Sequence, residues 1–518
     1  MARKPLDDYY VMMWTFADPI FKNGPEKARL ALERFREAGC NAAACHGAFV
    51  APKSFKKYIE RTGLAEEFPY ETPQLDAFPF LENDFPLWVE NICRALTWDW
   101  EKGKPELRRQ YETFSRERDR RVFTKRACLN DPEVAAATVD RLAEMMKVLE
   151  PARHLTLLYD LRDEPSTCSF MLAGDVCFCE HCTKRMRSWL KDSYTDLAAL
   201  NAEWGTDFAA WDDVEPLSTQ EALERREAGD LNFSPWADHR EFMDESFARV
   251  TREYSAELKK HDPDALCGLE GTQCPWVFGG WDFPRLVPEL DWAEPYAWAC
   301  SPDLFRSLKT RRDLRLIKTA GLGADPVTKE VLLWNYVFQA GGHAGAIGWA
   351  SNSALRTDEE DWPLTDKTRD FAPVYFDLRS GAPKLLQLTE ELSSPVAVHH
   401  SQASVRADFI ATVPNRWQSV AAAEPDRFDA FKCREAWWRL LEDRGLRPVF
   451  MSDSQIAAGE LAKRGIKVLV LPRSIAISDA EAKAMREFVE AGGTLVADSF
   501  AGRMNEHCRE RSTGALDE

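Results

Sequence analysis

Short apolar runs alternate with amphipathic stretches along most of this chain. The runs at 11–16, 41–46, 122–128, 155–161, 266–271, 291–296, 314–319 and 345–350 read as strands buried on both faces. Between them, apolar positions recur at helical spacing at 25–38, 133–149, 237–260 and 327–339. Eight strands alternating with helices over residues 1–390 predict a parallel (β/α)8 TIM barrel, with a doubly wound open sheet as the competing arrangement. The connections at 50–120 and 165–236 are long and rich in aromatic residues. In a barrel they would wall the mouth at the C-terminal ends of the strands. After 390 the pattern restarts, with strands at 396–400, 448–451, 467–472 and 494–498 and helices at 428–444, 453–464 and 478–491. The last helix is closed by Gly492-Gly493. Residues 391–518 therefore read as a smaller doubly wound α/β domain, whose pattern stops mid-domain at Leu516-Asp517-Glu518 and suggests a truncated end.

Composition narrows the class. A chain of 518 residues with 45% hydrophobic and 29% charged residues is ordinary for a globular protein. A net charge of −18 argues against nucleic acid or an anionic membrane surface as partner. No apolar run reaches the roughly 18 residues of a membrane span, and the N-terminus carries no apolar segment of a secretory signal. Thirteen cysteines, an odd number, in such a chain point to reduced thiols and a metal site rather than to disulfides. The expected compartment is the cytoplasm.

The cysteines cluster. Cys177-Phe178-Cys179-Glu180-His181-Cys182 places three thiolates within six residues. A structural Zn2+ takes four ligands in a tetrahedron, and four thiolates would leave no open position for chemistry. Cys128, at the end of the predicted third strand, is the preferred fourth ligand; His181 and Cys168 are its competitors.

Just upstream, an apolar run ends in Leu161-Arg162-Asp163-Glu164-Pro165. Barrel enzymes carry their reactive groups at such strand ends, and adjacent acids favour one shifted pKa. Two further acids end predicted strands, Glu270 in Gly268-Leu269-Glu270-Gly271 and Glu294 in Trp292-Ala293-Glu294-Pro295-Tyr296. Glycosidic bond cleavage needs two carboxyls, one to protonate the leaving oxygen and one as nucleophile or base. Trp14, Trp276, Trp281, Trp298 and Trp349, with Tyr296, lie at or beyond strand ends where flat rings could stack on a sugar. His46, Arg126, Gln273 and Asn352 could bond its hydroxyls. No phosphate-binding G-x-x-x-x-G-K-[ST], no G-x-S-x-G and no H-E-x-x-H is present.

The order of strand, acidic pair, C-x-C-x-x-C, Trp189-Leu190-Lys191 and Leu200-Asn201-Ala202-Glu203-Trp204-Gly205-Thr206 resembles the β-galactosidases of glycoside hydrolase family 42. The resemblance spans nearly the whole chain and is densest at 154–216 and 466–500. It implies a retaining barrel glycosidase, often trimeric, with structural zinc on four cysteines, Cys128 standing where the family's upstream cysteine lies. It implies Glu164 as the acid/base, and Asp163 where the family has an asparagine that binds the sugar 2-hydroxyl. Residues 391–518 resemble the family's trimerisation domain, akin to glutamine amidotransferases, although no Cys/His/Glu triad for amide transfer is visible.

One departure matters. The family's nucleophile ends the seventh strand, yet 314–323 holds no acid before Asp325. Glu294 is the preferred replacement, flanked by Tyr296 and Trp298, and Glu270 is the alternative. The expected function is a glycoside hydrolase acting on a β-galactoside or related oligosaccharide. The alternative is a non-catalytic carbohydrate-binding or sensing barrel that has lost its nucleophile. Expected partners are a small oligosaccharide and two further copies in a homotrimer, with no nucleic acid and no membrane.

Overall fold

The computed structural model describes residues 8–16, 23–46, 78–93, 100–125, 127–168, 171–309, 314–321, 327–340, 345–349, 351–389, 392, 394–414 and 428–517. Eight parallel strands close into a barrel: β1 (Tyr10–Phe16), β2 (Ala42–His46), β3 (Leu87–Val89), β4 (Thr156–Asp160), β5 (Cys267–Thr272), β6 (Trp292–Pro295), β7 (Arg315–Gly321) and β8 (Gly345–Trp349). β8 returns to β1 in the register Met12↔Ile347, which seals the sheet. Side chains alternate along each strand. Tyr10, Met12, Ala42, Trp88, Leu158, Trp292, Ile317 and Ile347 fill the barrel interior. Val11, Met13, Leu87, Leu269, Ala293 and Leu316 pack outward into the helical ring. This two-sided burial is why the strands read as continuous apolar runs. Trp88 and Trp292 meet edge to face at 4.6 Å inside the barrel. Gly268 makes room for them, since a Cβ there would lie 2.5 Å from the Trp292 ring.

The third strand differs from the sequence expectation. It is Leu87–Val89, not 122–128. Three residues behind Pro86 are too short to register as a periodic run, whereas Arg120–Val122 forms a 3-10 turn capped by the Asp119 carboxylate. The excursion at 90–155 therefore follows β3 and carries the helices Trp100–Glu117 and Pro132–Leu149. Cys128 lies in that excursion, beyond the turn and not on a strand. The expected helix at 453–464 is two short ones, Asp453–Ala457 and Glu460–Lys463, broken where Gly459 adopts φ 70.

The second sheet has four parallel strands, β9 (Val396–His400), β10 (Val449–Ser452), β11 (Val468–Leu471) and β12 (Thr494–Ala497), in the order β10-β9-β11-β12. The helix Gln402–Thr412 joins it to the barrel and is buried along most of its length. Phe409 lies between Trp236, Trp276 and Phe428, and Gln402 donates to the Trp276 carbonyl at 2.7 Å. Arg406 bonds Asp244 and faces Glu241 and Asp282 at 3.7 and 3.8 Å. One buried guanidinium thus answers three acids from the barrel, a contact that fixes the relative placement of the two sheets. Among the described residues no helix is long and apolar enough to cross a membrane.

Candidate active site

One further step of the interior alternation, toward the C-terminal strand ends, carries the row Trp14, Glu90, Asp160, Glu270, Glu294, Thr319 and Trp349. The interior below this row is apolar; the mouth is lined with carboxyls. Asp160 anchors it. Its Oδ1 accepts from the backbone N–H of Arg162 at 3.1 Å and of Glu270 at 2.9 Å, and its Oδ2 from that of Asn91 at 3.0 Å. Asn91 in turn accepts from the Asp163 N–H at 3.1 Å and from the Arg162 guanidinium. Trp14 donates its indole N–H to Glu90 at 2.8 Å.

The Asp163-Glu164 pair follows β4, held against β5. The Glu164 N–H donates to the Glu270 carbonyl at 3.1 Å. Glu164 adopts φ 47, a left-handed conformation that costs a non-glycine residue about 1 kcal/mol or more and clusters at functional sites. Across from it, Gly271 has φ +58, and a Cβ there would come within 2.7 Å of both Asp163 Oδ1 and Glu164 Cγ. No larger residue fits without moving the pair.

Glu164 accepts a hydrogen bond from the Tyr296 hydroxyl at 2.7 Å. Burial raises its pKa, and the Tyr296 bond partly opposes that rise. Glu294, on β6, accepts from the Gly271 N–H at 2.6 Å and bonds the Thr319 side chain on β7. Its pKa is raised to about 8, first by burial, with the Asp163 and Glu164 charges adding to the rise. Glu270 is pushed up as well, by burial and then by Glu90, Asp163, Asp160 and Glu294. One oxygen each of Glu90, Asp163 and Glu270 lie within 4.8 Å of one another. Tyr296 and Trp298 meet edge to face at 5.1 Å, and Trp298 and Trp349 are 43% and 52% exposed. Exposed rings at a strand-end rim are placed to receive the apolar face of a ligand.

The structure thus brings together Glu164, Glu270, Glu294, Asp163, Tyr296, Trp14 and, at the rim, Trp298 and Trp349. Trp276 and Trp281 do not join them. Both are fully buried, Trp276 among Phe409, Phe428 and Phe431 and Trp281 against Phe247. Gln273 is buried too, its amide donating to the Gly271 carbonyl at 2.6 Å. Arg126 and the side chains of His46 and Asn352 lie outside the described residues. Glu90, Asn91, Asp160 and Thr319 are site residues that the sequence reading missed. Glu90-Asn91 went unseen because its strand did, although an acidic-amide step after an apolar triplet was the available signal.

A separate cluster lies in the neighbouring insertion. The sulfurs of Cys128, Cys177, Cys179 and Cys182 all lie within 4.8 Å of one another, with Cys128 3.2 Å from Cys182 and 3.4 Å from Cys179. Asn130 donates its backbone N–H to Cys128 and its amide to Cys182. Four sulfurs so placed, each able to ionise, could hold a metal ion. Cys168 instead contacts the Leu172 carbonyl, and His181 is half exposed with its ring 3.9 Å from Asp131. Neither competitor joins the cluster.

The family model for glycoside hydrolase family 42, described as β-galactosidase, matches residues 117–314. That stretch carries Glu164, the cysteine cluster, Glu270 and Glu294. Over this stretch the chain is similar to the β-galactosidases of glycoside hydrolase family 42. A β-galactosidase of Geobacillus kaustophilus is 24% identical over 358 residues, covering 64% of this chain and 50% of that protein. One of Heyndrickxia coagulans is 22% identical over 361 residues, with the same coverage of 64% and 50%. The chain spans about half the length of these curated relatives. Solved β-galactosidases from Bacillus circulans sp. alkalophilus and Rahnella sp. R3 share the fold at TM-scores of 0.65 and 0.66, with 16% and 18% identity. They cover 98% and 99% of this chain, which spans 74% and 75% of theirs. The described residues of β7, Arg315–Gly321, hold no acid, and Thr319 stands in the mouth row.

Proposed function

We propose that the protein is a glycoside hydrolase that cleaves a β-galactoside or a closely related oligosaccharide, with Glu164 and Glu294 as its carboxyl pair. The observation that carries this reading is the meeting of these acids at the barrel mouth: Glu164 accepts from Tyr296 at 2.7 Å, and Glu294 on β6, two residues before Tyr296, accepts from the Gly271 N–H at 2.6 Å. Glu164, at the end of β4 and partly desolvated, is the proton donor to the leaving oxygen. Glu294 is the nucleophile or base, Tyr296 orients Glu164, and Trp298 and Trp349 form the stacking rim. Asp163 faces a sugar hydroxyl as an acceptor only. This division favours an enzyme over the binding barrel, since a bare recognition site has no need of two acids with raised pKa values.

The pair works with one proton between them. Rising pH removes that proton from the pair, in which burial raises both groups, Glu294 to about 8. kcat/KM should therefore fall as pH rises through about 8, and fall again in acid once both carboxyls are protonated. Screening nitrophenyl glycosides across pH, with NMR of the first-formed anomer, tests the reading. Folded protein that turns over none of the panel would contradict it.

Zinc is the metal that the four cysteines suit. At the usual Zn–S distance of about 2.3 Å, tetrahedral sulfurs stand about 3.8 Å apart, in keeping with the cluster. Cys128, Cys177, Cys179 and Cys182 would hold it in a structural role, pinning the loop after β4 to the excursion after β3. The twelve described cysteines are free thiols, which suits a reducing, cytoplasmic setting. Residues 1–390 form the catalytic unit of this reading, and 391–518 serve assembly as a homotrimer. A closed ring needs heterologous interfaces. Light scattering should return three times the 59.0 kDa chain mass; a fully active monomer would count against it.

A further inference from the structure

The mouth of the barrel holds more acid than two-carboxyl chemistry uses. Glu90 from the end of β3, Asp163 after β4 and Glu270 on β5 converge so that one oxygen from each lies within 4.8 Å of the other two. Glu90 and Glu270 are buried and Asp163 is half-buried. Glu270 is 5% exposed, and its Oε2 is buried without a hydrogen-bond partner. A buried acceptor left unmatched costs about 1–3 kcal/mol, more when charged, so this oxygen points to something that the protein itself does not provide. Backbone geometry keeps the oxygens in place. The N–H of Glu270 is tied to Asp160, Asp163 is tied through its N–H to Asn91, and Glu90 accepts from Trp14.

We propose that Glu90, Asp163 and Glu270 bind a hard divalent cation, of the Ca2+ or Mn2+ class, at the edge of the catalytic pocket. Oxygens that share one Ca2+ at about 2.4 Å lie no more than about 4.8 Å apart, a limit that these three meet. Carboxylates suit such ions, whereas the thiol cluster suits soft ones, so the two sites sort metals by chemistry. Three protein oxygens leave several of the six to eight positions of Ca2+ open to water or to neighbouring hydroxyls of a bound sugar. Asp163 completes the trio: it adds a third carboxyl oxygen beside those of Glu90 and Glu270, close enough for one ion to touch all three. The cation would hold three crowded acids in their ionised form and tie the substrate to the wall beside Glu294.

The proposal shares a pocket with the proposed hydrolysis but is read without turnover, so either can fail while the other stands. Full-length protein, dialysed free of divalent ions while keeping its thiol-bound metal, is titrated with Ca2+ by calorimetry and with Mn2+ by electron paramagnetic resonance. The expected result is one ion per chain. Asp163→Asn, nearly isosteric, should weaken binding by more than the roughly 10–100-fold that loss of an outer-shell partner costs. Glu164→Gln, adjacent but outside the trio, should leave it within a few fold. Circular dichroism and thermal melts establish that both variants fold. No binding at millimolar Ca2+ or Mn2+ would overturn the proposal. So would Asp163→Asn that binds as tightly as the parent.

Discussion

Glu164→Gln should reduce turnover of a β-galactoside by about 10²–10⁴-fold while leaving the thermal midpoint nearly unchanged. The substitution keeps the shape of the side chain, and its amide oxygen still accepts the Tyr296 hydroxyl that the carboxylate accepts at 2.7 Å. The backbone N–H of residue 164 still reaches the Glu270 carbonyl, so the left-handed turn has no reason to relax. What is lost is the proton. The loss should accordingly depend on the leaving group: largest for a disaccharide, whose departing alkoxide needs protonation, and smaller for a nitrophenyl galactoside, which departs nearly unaided. A uniform small effect on both substrates would remove Glu164 from proton transfer. A variant that melts early would say instead that the residue holds the loop.

Metal removal should have the other large effect. Elemental analysis is expected to find one zinc per chain, and Cys177→Ser or a strong chelator should release it. Structural zinc contributes apparent binding free energies of about 10–16 kcal/mol in small domains, all of it available only to the folded site. Here it would pin Cys128, beyond the 3-10 turn at Arg120–Val122, to the start of the helix Glu180–Ser193. Loss of that clasp should lower the thermal midpoint and open 165–236 to protease before the barrel unfolds. Activity should fall with it, because Asp163 and Glu164 open the same connection. Protein without zinc, whose stability and activity are untouched by Cys177→Ser, would contradict the assignment.

Seven of the eight barrel strands were legible because burial on both faces leaves an unbroken apolar run. β3 was not. Leu87–Val89 is too short to show periodicity, and 122–128 offered a longer apolar decoy. That miss hid Glu90 and Asn91 together, and with them one of the three backbone donors to Asp160. The acidic pair at 163–164 was visible from its strand-end position, and the cysteine cluster from its spacing. Cys128 joined the cluster although its predicted strand does not exist, because a loop can bring a ligand where a strand end would. The tryptophans divided as packing demands. Trp298 and Trp349 are exposed at the rim, whereas Trp276 and Trp281, equally close to strand ends, are enclosed by aromatic neighbours that only the fold assembles. No one-dimensional signal could tell that the Glu294 side chain reaches from β6 to the Gly271 N–H on β5.

The pairing of Glu294 with Glu164 is the central claim, and Glu294→Gln tests it most directly. Turnover of nitrophenyl β-galactoside by this variant, measured beside Glu270→Gln and the parent protein, should fall at least as steeply as for Glu164→Gln, with folding intact and Glu270→Gln less affected. Glu294→Gln that keeps the activity of the parent would contradict the account, and place the second carboxyl of the reaction elsewhere.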